Sequence, residues 1–343
     1  MIGTKFIKGQ GLGNQLFVYV SARALAAEKG CEFGTAAQEL FAMNIHNDKG
    51  MYFMDVDLGT NITPEAEQEM KRYDEKEVRL YLPNSKHDME HGAYVAGPDD
   101  GLKNVEDNTL IYGNLQDESY FAKYRDDLKR WLKVKPEYDS KEYCRDNLCI
   151  INMRGGEYTG SPELYIGKKY FVNAMEAMKR IRPDMEFMII TDDEAAAKRM
   201  FPKIEAHHFD IAKDYVTIKN AQYLILSNSS FAILPAFTSD VLKYAIAPKY
   251  WARYNVSDGY WASEQNIYSI FRYMDKKGRL FTPTECRNEL TAYKARSAKY
   301  ALANTKPSGI RTLAMKMTFT SKNTAYWIKR IIKSLERRLL RAH

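Results

Sequence analysis

The chain has 343 residues, of which 45% are hydrophobic and 13% aromatic, and this length predicts two domains with sizeable cores. We expect no transmembrane helix, because no run of about 18 apolar residues occurs. The net charge of +7 lies entirely in residues 316–343, which carry eight basic residues and one acidic residue. The rest of the chain is neutral overall and has no pattern typical of nucleic-acid binding, so no nucleic-acid partner is predicted.

The N-terminus and the cysteines bear on the location of the protein. Residues 1–6 lead directly into a predicted strand and lack the layout of a signal peptide. The four cysteines are scattered and have no metal-ligand spacing, which is typical of reduced thiols. We therefore expect a cytoplasmic protein.

A glycine-rich turn follows the first predicted strand, which covers residues 5–8. The turn runs from Gly9 to Gln15 with the sequence GQGLGNQ, and a helix that ends near Gly30 follows it. Such a turn lets the backbone approach a ligand closely, although it could also serve only to tighten the chain. It is not a dinucleotide fingerprint, because the third glycine would fall at Asn14, and this disfavours a nucleotide-binding oxidoreductase.

The rest of the first half is less regular. Residues 34–108 are predicted to be irregular and polar, with one helix over residues 64–77. A strand over residues 109–112 and an amphipathic helix ending at Leu132 follow, and the charged segment 133–146 contains the predicted boundary. We predict an N-terminal domain over residues 1–143, a second domain over residues 146–300 and a tail over residues 301–343.

Two patterns in this half could bind a metal, and both have simpler explanations. Asp55 and Asp57 form the DxD pattern that holds a divalent cation in some sugar-transferring enzymes, but about one such triplet is expected by chance. His87 and His91 have the spacing of two ligands on a helix, but the nearby Pro83 favours a surface loop. No metal is predicted.

The second half predicts a parallel α/β sheet. Strands over residues 148–153, 185–190 and 223–226 alternate with helices, and such sheets bind ligands beyond the carboxyl ends of their strands. The elements predicted between and after these strands are a helix over residues 168–182, a helix starting at Asp193, a short strand over residues 204–207, a helix starting at Asp214 and a helix over residues 236–247.

Four small polar residues, Ser227 to Ser230, come between the predicted strand 223–226 and the predicted helix 236–247. Backbone N–H groups and the positive end of a helix dipole can bind a phosphate at such a junction. Ser and Asn are also ordinary N-cap residues, so capping is the alternative.

Four motifs in register resemble those of the inverting alpha-1,2-fucosyltransferases, glycosyltransferase family 11, which are most often bacterial. The similarity covers residues 9 to about 252, with Gln10 and Val18 as departures in the first motif. The matching segments are the glycine turn with Asn14, Gln15, Leu16, Phe17 and Tyr19; residues 113–121; residues 191–193; and residues 227–231 followed by 246–251.

The resemblance implies an α/β fold with two Rossmann-like domains that face a cleft, the GT-B arrangement. It also implies transfer of L-fucose from GDP-fucose to a sugar hydroxyl, alpha-1,2 on galactose of a cell-surface glycan, with no cofactor and no required metal. Transfer of another GDP-sugar is one alternative. A non-catalytic, membrane-associated nucleotide-sugar-binding protein is the other.

One motif of the family is altered here. Residues 152–158 stand where the family has H-x-R-R-G-D-Y, and only the first arginine, Arg154, is kept. Its guanidinium could bind two phosphate oxygens of the leaving GDP, and a surface salt bridge is the alternative. Glu157 replaces the aspartate and is the candidate base for the attacking hydroxyl, or it holds Arg154 in place.

The resemblance assigns the remaining candidate site residues to the GDP-sugar. Asp193, next to Asp192, would accept hydrogen bonds from guanine or cap a helix. The other donor-binding candidates are Asn228, Ser229 and Ser230 at the phosphates with Phe231 beneath, and Gly11, Gly13, Asn14 and Gln15 closing from the opposing domain.

The tail predicts an amphipathic helix over residues 327–341, with isoleucines and leucines on one face and basic residues on the others. Such a helix could bind an anionic membrane surface through residues 316–343, or it could dock on the body. A membrane contact would place the protein at the inner face of the membrane, where an oligosaccharide or lipid-linked glycan could be the acceptor.

Overall fold

The computed structural model confirms an α/β protein built from two Rossmann-like parallel sheets. It describes residues 1–43, 47–76, 97–160, 164–255, 257, 261, 264–296, 317, 324 and 328. The histidine pair, His87 and His91, lies outside the described residues. The predicted tail helix over residues 327–341 also lies outside them, except at position 328.

The first sheet has five parallel strands in the order β4-β2-β1-β6-β5. Strands β3 and β7 form a separate, two-stranded antiparallel sheet. The strands of this half are β1 (Ile2–Lys5), β2 (Phe33–Ala36), β3 (Met54–Asp55), β4 (Thr60–Ile62), β5 (Lys71–Asp74), β6 (Thr109–Tyr112) and β7 (Lys133–Val134).

The second sheet has seven strands in the order β10-β9-β8-β11-β12-β13-β14, all parallel except β14. Its central strands β8 and β11 are buried along their whole length, as expected for a sheet covered on both faces. The strands are β8 (Leu148–Met153), β9 (Glu186–Thr191), β10 (Glu205–His207), β11 (Tyr223–Leu226), β12 (Tyr244–Pro248), β13 (Arg272–Met274) and β14 (Leu280–Phe281).

Helices connect these strands. The first ends where predicted, because Gly30 adopts a left-handed conformation (φ 63°) that closes the helix. The helices are α1 (Leu12–Lys29), α2 (Pro64–Glu69), α3 (Arg125–Trp131), α4 (Lys168–Ile181), α5 (Glu194–Met200), α6 (Ile211–Lys219), α7 (Ile233–Phe237) and α8 (Pro283–Arg296).

The first half is more regular than the sequence predicted. The first strand is Ile2–Lys5 rather than residues 5–8, since Ile7 is already 55% exposed beyond the sheet. The region predicted to be irregular contains β2 to β5, and the helix predicted over residues 64–77 ends at Glu69. These strands are only two to four residues long and contain no continuous apolar run, so only their pairing with distant strands defines them.

Two helix predictions in the second half were wrong. The segment 236–247 contains the end of α7 and the start of β12 instead of one helix. The apolar sequence of β12 is compatible with a helix or a strand. It forms a strand because it pairs with β11 and β13. Helix α6 begins at Ile211, capped by Asp210, so Asp214 lies inside the helix and is buried.

One apolar core joins the two halves. Phe17 of α1 stacks on Tyr268 at 6.0 Å between ring centroids, and Phe121 packs edge-on against Phe237 of α7 at 5.6 Å. Aromatic pairs of this kind each contribute about 0.5–1.5 kcal/mol beyond simple burial. This shared core fixes the two sheets so that segments following β1 and β8 to β11 face one cleft.

Candidate functional site

An open cleft of about 1120 Å³ lies between the two halves at the carboxyl ends of five strands. Parallel sheets bind ligands at this edge, and both sheets contribute to the same opening. The segments that line the cleft fall within residues 9–14, 152–158, 190–192, 208–214 and 229–231.

The N-terminal half contributes the start of helix α1. Gly11 occupies the N-cap position, so no side chain caps the first-turn N–H groups. Gly13 packs directly on the opposite half: a Cβ atom there would lie 2.5 Å from the backbone nitrogen of Phe231 and 2.5 Å from the carbonyl carbon of Ser230. Glycine is therefore required for this close contact between the two halves.

The other two predicted residues of this turn have different positions. Asn14 lines the cleft, and its Oδ1 accepts a hydrogen bond from Gln116 Nε2 at 3.0 Å. Gln15 is fully buried, and its amide donates to the Leu40 carbonyl at 2.9 Å and accepts from the Ala42 N–H at 2.7 Å. Gln15 thus holds a neighbouring loop and does not reach the cleft.

Arg154 comes directly after β8, and its positively charged side chain lines the cleft. Its guanidinium pairs with Asp192 at 2.9 Å and with Glu157 at 3.2 Å, and it lies 5.3 Å from the ring centroid of Tyr158. The side chain is 23% exposed, so the guanidinium is partly desolvated but still accessible. The predicted surface-salt-bridge alternative describes the pair with Glu157, which is 71% exposed, and not the pair with Asp192, which is only 10% exposed.

Two glycines after Arg154 allow the neighbouring carboxylates to approach. A Cβ atom on Gly155 would lie 2.6 Å from the Cβ of Asp193, and one on Gly156, which has φ 42°, would lie 2.5 Å from Asp192 Oδ2. The Gly155 N–H also donates to Asp192 Oδ1 at 2.7 Å. The chain therefore has a glycine, rather than a second arginine, where the strand ends meet.

The two adjacent aspartates have different positions. Asp192 lines the cleft, whereas Asp193 is the N-cap of α5 and accepts from the Ala196 N–H at 2.9 Å. Asp193 is not among the lining residues, so its position is that of the predicted capping alternative.

The serine-rich segment connects β11 to the cleft. Ser227 Oγ accepts from the Arg154 N–H at 3.0 Å and so ties the ends of β8 and β11 together. Ser229, Ser230 and Phe231 line the cleft, and the Ser229 hydroxyl makes no capping hydrogen bond to the short 3-10 turn that follows it. Asn228 is buried away from the cleft lining and donates to the Leu164 carbonyl at 3.0 Å.

A histidine–aspartate pair that was not predicted from the sequence also lines the cleft. His208 Nδ1 lies 3.0 Å from Asp214 Oδ2, and the carboxylate is only 7% exposed. The hydrogen bond to Asp214 raises the pKa of His208 above its ordinary value. A signal was present: His208 follows the predicted strand 204–207, as Arg154 follows β8.

Asn152 also lines the cleft and was not among the predicted site residues. It is 6% exposed, and its Oδ1 makes no hydrogen bond to any residue that the structure describes.

The DxD pattern is engaged elsewhere. Asp57 pairs with Arg23 at 3.0 Å and accepts from the Gly59 N–H at 2.9 Å, outside the cleft. Within the described part of the chain, no three acidic, histidine or cysteine side chains are grouped as metal ligands.

Among the same residues, no helix has both the length and the apolar character to cross a bilayer.

Comparison with known protein families and with curated proteins finds no match to this chain. Among solved structures, the fucosyltransferase NodZ from Bradyrhizobium is similar over 71% of this chain and 93% of its own, with 11% identity and a TM-score of 0.41. POFUT1 in complex with GDP is similar over 71% of this chain and 97% of its own, with 8% identity and a TM-score of 0.42.

A family 9 glycosyltransferase from Veillonella parvula is similar over 72% of this chain and 80% of its own, with 11% identity and a TM-score of 0.36.

Proposed function

We propose that the protein is an inverting glycosyltransferase that moves L-fucose from GDP-fucose to a sugar hydroxyl. The observation that carries the proposal is that Arg154 and the pair Ser229 and Ser230 line one cleft from neighbouring strand ends. The start of α1 faces them from the other half. A guanidinium, hydroxyls and uncapped helix N–H groups are the donors that a diphosphate needs.

The charges around Arg154 indicate how a diphosphate would enter. Glu157 is 71% exposed, so water screens its pairing with Arg154, whereas Asp192 is 10% exposed and also holds the Gly155 N–H. An incoming phosphate would therefore displace Glu157 and leave Asp192 in place. Arg154 keeps one carboxylate that orients it and turns its other edge to the phosphate.

The displaced Glu157 then has a chemical role. Inversion requires direct attack of the acceptor hydroxyl on the sugar carbon, with a base that takes the hydroxyl proton. As the sugar–phosphate bond breaks, negative charge grows on the diphosphate, and Arg154 and the serine hydroxyls stabilise it. Glu157 takes the proton in this mechanism, and no metal takes part.

The acceptor and its location extend the proposal. We propose galactose as the acceptor, joined through an alpha-1,2 linkage, within an oligosaccharide or lipid-linked glycan. The eight basic residues within 316–343 support a peripheral position on an anionic membrane surface at the cytoplasmic face.

A second candidate function is binding of a nucleotide sugar without transfer. The double pairing of Arg154 favours it, because the two carboxylates compete with phosphate for the guanidinium. Transfer of another GDP-sugar is a variant of the main proposal, since the lining residues named above address the nucleotide rather than the sugar.

The test is to incubate the full-length protein with a panel of GDP-, UDP- and ADP-sugars and to measure nucleotide release with and without sugar acceptors. Release of GDP from GDP-fucose that increases with an acceptor supports the main proposal. Binding of GDP-fucose without release with any acceptor supports the second candidate. Failure to bind any nucleotide sugar contradicts both.

A further inference from the structure

The order of the strands sets the direction in which a nucleotide would lie. The chain goes outward from β8 to β9 and β10, then returns to β11 on the other side of β8. Arg154 and Ser229 flank this reversal, which is where doubly wound sheets bind a phosphate group. On one side of this reversal, described residues that follow β9 and β10 line the cleft. On the other side, no described residue that follows β12 lines it.

A nucleoside attached to that phosphate therefore extends over the ends of β9 and β10. Asp192, directly after β9, lies along this path and is held there by Arg154 and the Gly155 N–H. His208, directly after β10, comes next along the same edge. The base would then lie beside His208 and Ile211.

The His208 ring is oriented by Asp214. Its Nδ1 lies 3.0 Å from Asp214 Oδ2, and Asp214 Oδ1 accepts from the Phe209 N–H at 3.1 Å. The His208 backbone N–H donates to Glu194 Oε1 at 2.9 Å. Because Nδ1 is directed to Asp214, Nε2 is directed away from it, and the ring is 37% exposed at the cleft.

We infer that His208, held by Asp214, recognises the base of the donor nucleotide by donating a hydrogen bond from Nε2 to a carbonyl oxygen, and so selects guanine over adenine. The inference deepens the proposed function and rests on it. Guanine presents O6 and N7 as two acceptors on one edge, whereas adenine has an amino donor in place of O6. A donor at Nε2 therefore fits guanine and is opposed by the adenine amino group.

The protonation state of His208 makes this selection depend on pH. The hydrogen bond to Asp214 of α6 raises the pKa of His208 most, and the charges of Asp214, of Asp192 directly after β9 and of Glu194 in α5 raise it further. Below this raised pKa both ring nitrogens carry protons, and Nε2 donates. Above it the proton remains on Nδ1 beside Asp214, and Nε2 becomes an acceptor. The preference for guanine therefore falls as pH rises through the pKa of His208.

Isothermal titration of the full-length protein with GDP, ADP and inorganic pyrophosphate tests the inference. We expect His208→Ala to weaken GDP binding about 10- to 100-fold, the loss of one charge-assisted hydrogen bond, and to leave pyrophosphate binding unchanged. The matched control is His207→Ala, since His207 stacks on Phe209 at 4.6 Å and is not among the lining residues. An unchanged ratio of GDP to ADP affinity in His208→Ala overturns the inference.

A second variant covers the case in which the alanine variant does not fold. His208→Gln retains an N–H donor but cannot titrate, so it should keep the preference for GDP and lose its pH dependence. A pH dependence that persists in His208→Gln also overturns the inference. Failure of the wild-type protein to bind pyrophosphate and GDP would instead contradict the proposed function, so the two failures are distinguishable.

Discussion

The two sides of the cleft present different chemistry. The N-terminal side offers backbone at Gly11 and Gly13, and its contact with the other half requires the absence of a side chain. The C-terminal side offers ionisable side chains, Arg154, Asp192 and His208, held in pairs by hydrogen bonds. One side therefore acts through close approach and the other through charge, and substitutions should separate the two.

The largest expected effect is on the charged side. Arg154→Ala removes the cation that stabilises the leaving diphosphate, and we expect kcat/KM for GDP-fucose to fall about 100- to 1,000-fold. Steady-state GDP release measures this loss. The control is Arg145→Ala, whose side chain is 51% exposed and pairs with Glu186 away from the cleft. A loss below about threefold would show that Arg154 does not contact the phosphates.

The next effect is on the side that acts through close approach. Gly13→Ala places a methyl group against the backbone of Ser230 and Phe231, which cannot move without separating the two halves. We expect activity to fall and the free energy of unfolding to drop by about 1–3 kcal/mol, measured by urea denaturation. Gly160→Ala is the control, because a Cβ atom there would have no atom within 4 Å other than those of its chain neighbours. Equal behaviour of the two variants would contradict the close contact.

Glu157→Gln distinguishes the two roles of the exposed carboxylate. In both cases the affinity for GDP should rise, because the phosphate no longer displaces a carboxylate from Arg154. If Glu157 is the base, kcat also falls about 100-fold, because proton transfer is lost. If Glu157 only holds Arg154, Glu157→Gln retains most of its turnover. Titration with GDP and single-turnover rates, measured on the same samples, separate these outcomes.

The smallest effect is expected outside both sides of the cleft. Asp57→Asn breaks an ion pair with Arg23 in which Asp57 is 74% exposed, so we expect at most about 1 kcal/mol of lost stability and unchanged activity. A metal chelator should also leave the wild-type rate unchanged. Loss of activity in either experiment would indicate that the DxD pattern binds a metal that the reaction needs.

The quality of the sequence predictions also differs between the two halves. Strands β8 and β11 were predicted with their correct bounds, because each is a short, continuous apolar run of a fully buried strand. Strands β2 to β5 were missed, since they are short, lack a continuous apolar run and exist through pairing with residues far away in the chain. The local sequence pattern was sufficient to predict the strands of the C-terminal half but not those of the N-terminal half.

The site predictions divide in a similar way. Arg154 and Ser229 follow predicted strand ends and line the cleft, as does the glycine turn. Gln15 and Asn228 lie in matching motifs but bond to the distant carbonyls of Leu40 and Leu164. Motif membership alone cannot tell a residue that contacts a ligand from one that supports it.

The sequence by itself determined the parallel second sheet and the polar residues at its strand ends, because hydrophobic runs and turn residues are local signals. It also placed the whole net charge in residues 316–343. Only the tertiary structure decided that His208 pairs with Asp214 and that Gly13 contacts Phe231. These contacts depend on the register of strands and on the packing of one half against the other, which no local pattern encodes.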